Sequence, residues 1–414
     1  MIPMNILLIN HYAGSISHGM EYRPYYLARE WGRLGHKVTI VAASFSHVRC
    51  TQPSITDGVT YEEIEGIRYV WLKTPVYHGN GIGRVFNMFI FIRRLLGLCK
   101  RFVEEFNPDV VIASSTYPLD IYPAHRIAKM AKAELIFEVH DLWPLSPMEL
   151  SGMSRWHPFI MFMQRAENYA YRVADRVVSM LPMADSHMKE HGMAPHKFVY
   201  IPNGIAVEEW QNDPESLPNQ HQDVLNGLKR EGKFIVGYAG SHGLANALNQ
   251  LIDAAYLIQE QQVSFVLVGQ GQEKENLQKH ALNKGLHNAI FLPPVPKGSI
   301  PSLLAAMDVL YIGWRRQPLY KFGVSPNKLM DYMMAAKPVI HSIEAGNDIV
   351  SENGCGISAP PEDPEAIANA VMKMMAMKLE DREIMGVRGR EYVLANHTYH
   401  VLAQKFVSIM EDRQ

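Results

Sequence analysis

The chain has 414 residues, of which 47% are apolar and 20% charged, a composition that excludes disordered and fibrous proteins. Its length favours two globular domains of roughly 200 residues each. The net charge is −2 at pH 7, with +3 in residues 1–205 and −5 in residues 206–414, and so small an imbalance does not support a nucleic-acid partner.

Three widely separated cysteines, Cys50, Cys99 and Cys355, occur without a CxxC motif or a clustered histidine pattern. They favour reduced thiols in a cytoplasmic protein, with neither a disulfide framework nor a zinc site. The amino terminus is expected to form a first strand and not a signal peptide, because it has no basic leader and no small-residue cleavage site.

The first half of the chain starts with a predicted buried strand at Asn5–Ile9, followed by a loop, a helix and a second strand at Lys37–Ala42. This order predicts a β-loop-α-β unit with parallel strands. Gly14 and Gly19 do not fit the G-x-G-x-x-G fingerprint, which counts against an NAD-dependent enzyme. The same glycines would let the backbone approach a ligand, although a plain tight turn would need them equally.

Two stretches of the first half combine apolar, aromatic and basic residues: 83–103 (GRVFNMFIFIRRLLGLCKRFV) and 156–165 (WHPFIMFMQR). Arg93 and Arg94 interrupt the apolar run of the first stretch, so a membrane-spanning helix is not expected. A buried core helix is the simple interpretation. Docking on an anionic membrane surface is the alternative, which two such stretches favour more than one.

Further buried strands are predicted at Asp109–Ser115 and Glu134–Val139. His140 directly follows the second strand, and the carboxyl end of a strand is where open α/β sheets bind ligands. Asp141 is placed to orient the imidazole. We therefore predict a functional His140, although a lone histidine is more often structural.

After a polar, loop-rich interval at 208–219, the alternation of strands and helices starts again. Glycine-containing loops follow two predicted strands, at 240–243 and 269–271, and each leads into a helix. Backbone amides that bind phosphate are expected at such positions, although turn chemistry also needs glycine. Residues 364–377 and 379–410 are predicted to be helical throughout, and a cleft between two α/β domains is the default ligand site.

The most informative stretch is 323–340, GVSPNKLMDYMMAAKPVI, which predicts a loop, a short helix and a strand. Ser325 or Asn327 is expected to cap the helix, so that unpaired N–H groups and Lys328 point toward one spot that attracts a phosphate. Asp331 lies on the same helical face, where its carboxylate can accept hydrogen bonds from sugar hydroxyls. A site that binds both a phosphate and the hydroxyls of a sugar indicates a nucleotide ligand. The simpler interpretation of this stretch is an ordinary capped amphipathic helix.

Five segments in order resemble the family-4 retaining glycosyltransferases of the GT-B fold: GMEYRPYYLAREWGRLGHKVTIV, EVHDLWP, IPNGI, FVLVGQGQ and SPNKLMDYMMAAKPVI. More narrowly, the chain is similar to the group that builds bacterial O-antigen and capsule chains, which includes N-acetyl-L-fucosamine transferases. The resemblance implies an α/β protein of two Rossmann-like domains whose parallel sheets face a central cleft. Residues 1–205 would bind the acceptor and residues 206–391 the nucleotide sugar, with a last helix near 392–414 packing back on the first domain.

The resemblance implies transfer of a sugar from a nucleotide diphosphate sugar to an acceptor hydroxyl with retained anomeric configuration. The expected donor is a UDP-linked N-acetylamino or deoxy sugar, and the expected acceptor is a lipid-diphosphate-linked glycan. No metal and no cofactor beyond the nucleotide sugar is expected. The protein would work at the inner face of the cytoplasmic membrane, with 83–103 and 156–165 on the lipid surface.

The resemblance also assigns roles to single residues. His140 near the donor sugar, Lys328 at the diphosphate and Asp331 at the ribose are the expected catalytic residues. The other expected donor-binding residues are Gly240, Ser241, His242, Gly243, Gly269, Gly271, Pro294, Val295, Ser325 and Asn327. The loop where acceptor and diphosphate meet is expected to comprise Gly14, Gly19, Glu21 and Arg23.

The chain departs from the family pattern at several positions. Gly323 stands where the family has the first of two glutamates eight positions apart, and Ser241 and Asn246 replace an arginine and a lysine. Two alternatives therefore stay open. One is a GT-B-fold UDP-sugar 2-epimerase that uses the same nucleotide site, and the other is a catalytically inactive, donor-binding partner subunit.

Overall fold

The structure is a computed structural model that describes residues 2–79, 81–211 and 214–412. Strands and helices alternate along the chain, which divides into two compact units. Unit 1 runs from the amino terminus to Asn203 and resumes at Tyr399, and unit 2 comprises Gly204–Thr398. Both units are α/β, which confirms the predicted fold class.

Unit 1 contains one eight-stranded sheet. Its strands are β1 (Asn5–Ile9), β2 (Lys37–Ala43), β3 (Val59–Ile64), β4 (Ile67–Leu72), β5 (Val110–Ala113), β6 (Glu134–Val139), β7 (Arg176–Ser179) and β8 (Phe198–Tyr200). Their order in the sheet is β3-β4-β2-β1-β5-β6-β7-β8, and only the edge hairpin of β3 and β4 is antiparallel. Strands β5 and β7 are buried at every residue, as expected when helices cover both faces of a parallel sheet.

The helices of unit 1 that precede residue 204 are α1 (Arg23–Arg33), α2 (Ile82–Phe106), α3 (Ile121–Ala131), α4 (Leu145–Ser151), α5 (Pro158–Val173) and α6 (Asp185–Glu190). The long helix α2 buries one face, which includes Phe91 and Leu95, and exposes Ile82 and Phe86. It is therefore a core helix on one side only. Within the described residues, no helix is long and apolar enough to cross a bilayer.

Unit 2 contains a six-stranded, entirely parallel sheet. Its strands are β9 (Phe234–Ala239), β10 (Val263–Val268), β11 (Ala289–Leu292), β12 (Val309–Gly313), β13 (Val339–Ser342) and β14 (Gly356–Ala359). They lie in the order β11-β10-β9-β12-β13-β14. Successive side chains of β9 point to opposite faces, so Ile235 and Val236 belong to two separate apolar clusters.

The remaining helices are α7 (Glu208–Gln211), α8 (Asn219–Arg230), α9 (Leu248–Leu257), α10 (Lys274–Asn283), α11 (Ile300–Ala305), α12 (Asn327–Met334), α13 (Ile349–Glu352), α14 (Pro364–Ala376), α15 (Leu379–Asn396) and α16 (Tyr399–Glu411). Helix α16 belongs to unit 1 and packs on α1. There, Trp31 meets the ring of Phe406 at 5.3 Å and donates a hydrogen bond to the carbonyl oxygen of Ala403.

The prediction of a continuous helix over 379–410 was wrong, because the chain breaks at His397 and Thr398. The carbonyl oxygen of His397 accepts a hydrogen bond of 2.8 Å from the N–H of Ile205, and Thr398 forms a β-bridge with Ile205. This pairing takes the backbone out of the helix. The loop-rich interval predicted at 208–219 begins with the short helix α7.

Candidate functional site

Two glycine loops of unit 2 touch each other beyond the carboxyl ends of β9 and β10. The N–H of Gly240 donates to the carbonyl oxygen of Val268 (3.0 Å), and the N–H of His242 donates to that of Gln270 (2.9 Å). A Cβ atom on Gly269 would lie 2.0 Å from the carbonyl oxygen of Gly240. Only a residue without a side chain fits there, so the fold itself requires glycine at position 269.

The amides of the 240–243 loop divide into two kinds. Those of Gly240 and His242 are used inside the fold, which corrects the expectation that the whole loop offers its N–H groups to a phosphate. The N–H groups of Ser241 and Gly243 have no hydrogen-bond acceptor among the described residues. The loop therefore keeps two donors for a ligand.

A cavity of about 270 Å³ lies beside these loops. Its lining comprises Ala239, Gly240, Ser241, Val268, Gly269, Gln270, Pro294, Val295, Ile300 and Leu303. Five residues predicted from the sequence to bind the donor are thus brought together: Gly240, Ser241, Gly269, Pro294 and Val295. Ligand pockets begin at roughly 300 Å³, so this cavity suits one part of a ligand, such as a base.

Lys328 lies in the first turn of α12, against Gly240. Its Nζ donates to the hydroxyl of Tyr238 (2.7 Å) and to Oδ1 of Asn246 (3.0 Å), and it lies 4.3 Å from the centroid of the Tyr238 ring. Among the described residues no carboxylate pairs with this ammonium group. Burial lowers the pKa of Lys328 to about 8. A shielded cation held by neutral groups is an arrangement that favours an incoming anion.

Other residues seat α12 and the loop before it. The hydroxyl of Tyr332 accepts from the N–H of Ala239 (2.8 Å) and donates to its carbonyl oxygen (3.1 Å). Asn347, which is buried, binds both backbone groups of Val324, at 2.7 and 3.1 Å. The predicted cap was wrong, since Pro326 occupies the N-cap position and no side chain caps the helix. Tertiary hydrogen bonds therefore fix the loop.

Asp331 follows Lys328 by one turn of α12. Burial raises the pKa of its carboxyl to about 7. The charge of Glu209 also raises this pKa, whereas the charge of Lys297 lowers it. Its carboxyl accepts no hydrogen bond from any described residue. A half-buried carboxyl without a protein partner can accept hydrogen bonds from the hydroxyls of a ligand, as the sequence predicts for the ribose.

The structure corrects the prediction for His242, whose ring is buried between Tyr238 and Phe291, with ring centroids 5.8 and 6.2 Å away. Burial, Lys274 and Lys328 lower its pKa to about 4, so the ring is neutral at pH 7. It does not line the cavity. Neither do the other predicted donor-binding residues Gly243, Gly271, Ser325, Asn327, Lys328 and Asp331.

In unit 1, His140 belongs to a shielded charge network at the ends of β5 and β6. Its Nε2 lies 2.9 Å from Oγ of Ser114 and 3.3 Å from Oε2 of Glu138, and its Nδ1 lies 3.6 Å from Oε1 of Glu21. Burial lowers the pKa of His140, but Glu138 and Glu21 outweigh burial and raise it to about 9. At pH 7 the ring is therefore an imidazolium, which donates hydrogen bonds and is no general base.

Asp141 does not orient His140, contrary to the sequence-based expectation. One of its carboxylate oxygens accepts a hydrogen bond of 2.5 Å from Oγ of Ser146. Glu138 and Glu21 hold the imidazolium instead. Sequence reasoning missed Glu138, although a glutamate inside the apolar run of β6 is a signal, because a buried charge requires a partner.

Arg23 is that partner. Its Nε donates to Oε1 of Glu138 (2.9 Å), and its terminal nitrogens donate to the carbonyl oxygens of Pro202 (2.5 Å) and Ile201 (3.0 Å). Burial would raise the pKa of Glu138, but Arg23 and His140 hold it well below its usual range. Arg23 is 4% exposed and its guanidinium is engaged within the fold, which corrects its predicted contact with the acceptor.

The predicted glycine loop doubles back on itself and carries Glu21 to His140. The N–H of Gly14 donates a hydrogen bond to the carbonyl oxygen of Glu21 (3.1 Å). A Cβ atom on Gly14 would lie 1.9 Å from the carbonyl oxygen of Met20. Gly19 has a φ of +80° and packs against Cys50. Both glycines are thus needed by the fold of the loop, whatever the loop binds.

The chain matches two protein-family models, one for each unit. Residues 18–204 match the glycosyl transferase 4-like domain, and residues 233–377 match glycosyl transferases group 1. The chain is 25% identical to the probable glycosyltransferase WbjE of Pseudomonas aeruginosa over 336 residues. This match covers 79% of each chain. It is 23% identical to the putative colanic acid biosynthesis glycosyl transferase WcaI of Escherichia coli K12, over 84% of this chain and 86% of the relative.

Among solved structures, the fold is similar to that of Anabaena HepE in complex with UDP and glucose. The TM-score is 0.67 at 16% identity, and the match covers 99% of this chain and 100% of that one. This likeness shows a shared GT-B fold.

Replacing Arg23 by alanine should lower the free energy of unfolding by about 3–5 kcal/mol, because Glu138 would remain buried without its strongest cation. Urea denaturation measures the loss. Lys100→Ala is the control, since Lys100 and Glu104 form an ion pair with 81% and 67% exposed side chains, worth about 1 kcal/mol or less. Equal losses in the two variants would contradict the assigned importance of the buried pair.

Gly269→Ala should destabilise unit 2, by about 1–3 kcal/mol or more, because its Cβ would collide with backbone at a φ of +141°. Gly227→Ala is the control: Gly227 lies in α8 with nothing within 4 Å of a Cβ, and there alanine should stabilise by about 0.5–1 kcal/mol. Thermal or urea unfolding compares the two. A neutral Gly269→Ala would mean that the two loops do not touch as described.

Proposed function

Because the chain belongs to the glycosyltransferases, with a glycosyl transferase 4-like domain followed by a group 1 domain, we propose a specific reaction for it. The enzyme transfers an N-acetylamino or deoxy sugar from a UDP-linked donor to a lipid-diphosphate-linked glycan, with retention of anomeric configuration. The observation that carries this proposal is the uncompensated Lys328 at the edge of the glycine loops.

Unit 2 is proposed to hold the donor. The base would enter the cavity beside Gly269 and Val295, where backbone and apolar groups form the lining. Asp331 would accept hydrogen bonds from the ribose hydroxyls, and the diphosphate would bind Lys328 and the two unpaired amides of the 240–243 loop. The choice of UDP is supported by HepE, whose structure is a complex with UDP and glucose.

These groups also suit the chemistry. Breaking the bond between sugar and diphosphate leaves negative charge on the departing phosphate, and prearranged donors stabilise that charge more in the transition state than in the ground state. Lys328 and the amides of Ser241 and Gly243 are prearranged in this sense, because the contacts of Tyr238 and Asn246 fix the ammonium group. Unit 1 contains a cation of its own, the His140 imidazolium, which is also a hydrogen-bond donor.

The acceptor is proposed to be presented at a membrane. Two stretches of unit 1 meet where the rings of Phe89 and Phe162 stack, with centroids 5.6 Å apart. On the same two stretches, Phe86 and Trp156 are 56% and 68% exposed, and the arginines Arg93, Arg155 and Arg165 are exposed as well. We call this group the apolar-basic surface; its members are Ile82, Phe86, Phe89, Arg93, Arg155, Trp156, Met161, Phe162 and Arg165. Apolar side chains flanked by cations are typical of peripheral binding to anionic lipid.

The setting is proposed to be surface polysaccharide synthesis on the inner face of the cytoplasmic membrane, in O-antigen or capsule assembly. WcaI is named as a putative colanic acid biosynthesis enzyme, and colanic acid is a polysaccharide. The match to WcaI and WbjE over about four-fifths of the chain supports a related acceptor class.

Lys328→Met should weaken UDP binding about 10- to 100-fold, since a hydrogen bond to a charged group is worth about 1.5–3 kcal/mol. Binding needs the protonated amine, whose pKa is about 8 in the free protein. The contribution of Lys328 to the affinity should therefore be largely present at pH 7 and be lost as the pH rises through about 8, by about tenfold per pH unit once the amine is mostly neutral.

Isothermal titration calorimetry with UDP measures both effects. Lys328→Arg is the matched control, because a guanidinium stays protonated over this range and should remove the fall above pH 8. If Lys328→Met binds UDP like the wild type, the diphosphate lies elsewhere. If the fall above pH 8 persists in both variants, it comes from another group.

Replacing Phe86 and Phe162 by serine should reduce binding to vesicles that contain phosphatidylglycerol by about tenfold or more, because each phenylalanine contributes about 1.5–3 kcal/mol when it leaves water. Co-sedimentation measures the loss. The control is Leu282→Ser, which removes a 78% exposed side chain on α10 of unit 2. Equal effects of the two changes, or wild-type binding by the double variant, would contradict the apolar-basic surface as the attachment site.

A further inference from the structure

Unit 1 contains a second cluster of chemistry-bearing residues, between α5 and the end of α6. It consists of Glu167, His187 and His191, each of which offers one ligand atom, and these atoms lie within 4.8 Å of one another. His187 and His191 are four residues apart, so both project from the same side of one helical turn. Glu167 comes from the facing helix α5.

The carboxylate of this cluster is buried without a permanent cation. Glu167 is 1% exposed, and its only ion-pair partner among the described residues is His187, whose Nε2 lies 3.2 Å from its Oε1. The same oxygen accepts a hydrogen bond of 2.9 Å from the hydroxyl of Tyr171. No lysine or arginine of the described chain forms an ion pair with this glutamate.

The cluster also surrounds the side-chain nitrogen of Gln164 with three possible hydrogen-bond acceptors. The side-chain nitrogen of Gln164 lies 2.6 Å from Oε2 of Glu167, 2.7 Å from Oδ1 of Asn168 and 3.0 Å from Nδ1 of His191. An amide nitrogen carries two hydrogens, and Nδ1 of His191 also lies 3.2 Å from Oδ1 of Asn168, to which it can donate. Two oxygens and an imidazole nitrogen thus surround one point, which a cation can occupy when the imidazole nitrogen carries no proton.

We propose that Glu167, His187 and His191 form a zinc site, with the oxygen of Asn168 or a water molecule as the fourth ligand. Imidazole nitrogens and a carboxylate oxygen are borderline ligands that suit Zn²⁺ better than Ca²⁺ or Mg²⁺, which prefer oxygen alone. Zinc bonds of 2.0–2.2 Å place tetrahedral ligand atoms roughly 3.3–3.5 Å apart. Since the three atoms lie within 4.8 Å of one another, they need to close by at most about 1.5 Å, and the side chain of Gln164 rotates away.

The proposed zinc would join α5 to α6 and would not take part in sugar transfer. Its function is to fix the helices behind β6 and β7. His191 is half-buried, whereas Glu167 and His187 are buried, so His191 marks the side from which the ion enters. The site uses none of the residues proposed to bind the donor in unit 2, so the expectation that transfer needs no metal is unaffected. It departs from the sequence-based expectation that the chain has no zinc site, which rested on its cysteines.

The test uses the full chain without a histidine tag, because a tag binds zinc itself. Protein stripped with EDTA is dialysed against Zn²⁺, and bound zinc per chain is measured by mass spectrometry of the metal. Cobalt is substituted in parallel, because four-coordinate Co²⁺ absorbs visible light strongly. We expect one zinc per chain, a visible cobalt spectrum and a melting temperature that rises with Zn²⁺.

The variants are Glu167→Gln, which keeps the shape and loses the charge, and His191→Ala, which removes the ligand nearest to solvent. Both should lose the stoichiometric zinc, the cobalt spectrum and the thermal shift. His196→Ala is the matched control, since it removes an exposed histidine of the same unit and should keep all three. Circular dichroism in EDTA verifies that each variant is folded. If Glu167→Gln fails to fold, His191→Ala decides.

A wild type that retains no zinc would overturn the proposal. So would a His191→Ala variant that keeps stoichiometric zinc and the cobalt spectrum, since the metal would then have other ligands. Loss of zinc in the His196→Ala control would likewise place the site elsewhere.

Discussion

The proposed donor site depends on a cation that has no counter-ion among the described residues. Lys328 is half-buried at the start of α12, and its nearest partners are a phenol and an amide. Burial makes the charged form costly, and no carboxylate of the described residues offsets that cost. In the proposed function, an anionic diphosphate would offset it, so the cost of burying the ammonium group would favour binding of that ligand. The glycine loops matter because a side chain at 240 would occupy the space of the ammonium stem.

The charge network of unit 1 follows the opposite principle. Glu138 is surrounded by Arg23, His140 and Ser114, and every one of these groups lies within 3.3 Å of a carboxylate oxygen. The positive and negative groups of the network balance, and they keep His140 mostly in its imidazolium form at pH 7. His140 thus resembles Lys328 in charge but differs in origin, because Glu138 and Glu21 maintain its proton. Carboxylates of the fold hold the His140 cation of unit 1, whereas the described residues supply no carboxylate for the Lys328 cation of unit 2.

The sequence predicts the scaffold well and the contacts of the site less well. Apolar runs such as those of β1 and β6 predict the parallel sheets, because strands buried on both faces leave a continuous pattern. The glycosyltransferase prediction is confirmed by the family models. Tyr238 and Asn246, which hold Lys328, lie 90 and 82 residues before it, and no local pattern connects residues so far apart. The helix break at 397–398 depends on Ile205 for the same reason, and the ring of His242 is turned inward by packing that the loop sequence does not reveal.

The most direct test of the account measures the melting temperature of the purified chain with a panel of UDP-, GDP- and dTDP-linked sugars. We expect one UDP-linked sugar to raise the melting temperature selectively, because a ligand that binds only the folded protein stabilises it. The shift should be largely lost in Lys328→Met. If no nucleotide sugar changes the melting temperature, or if only GDP- or dTDP-linked sugars raise it, the proposed UDP site at Lys328 and Asp331 is contradicted.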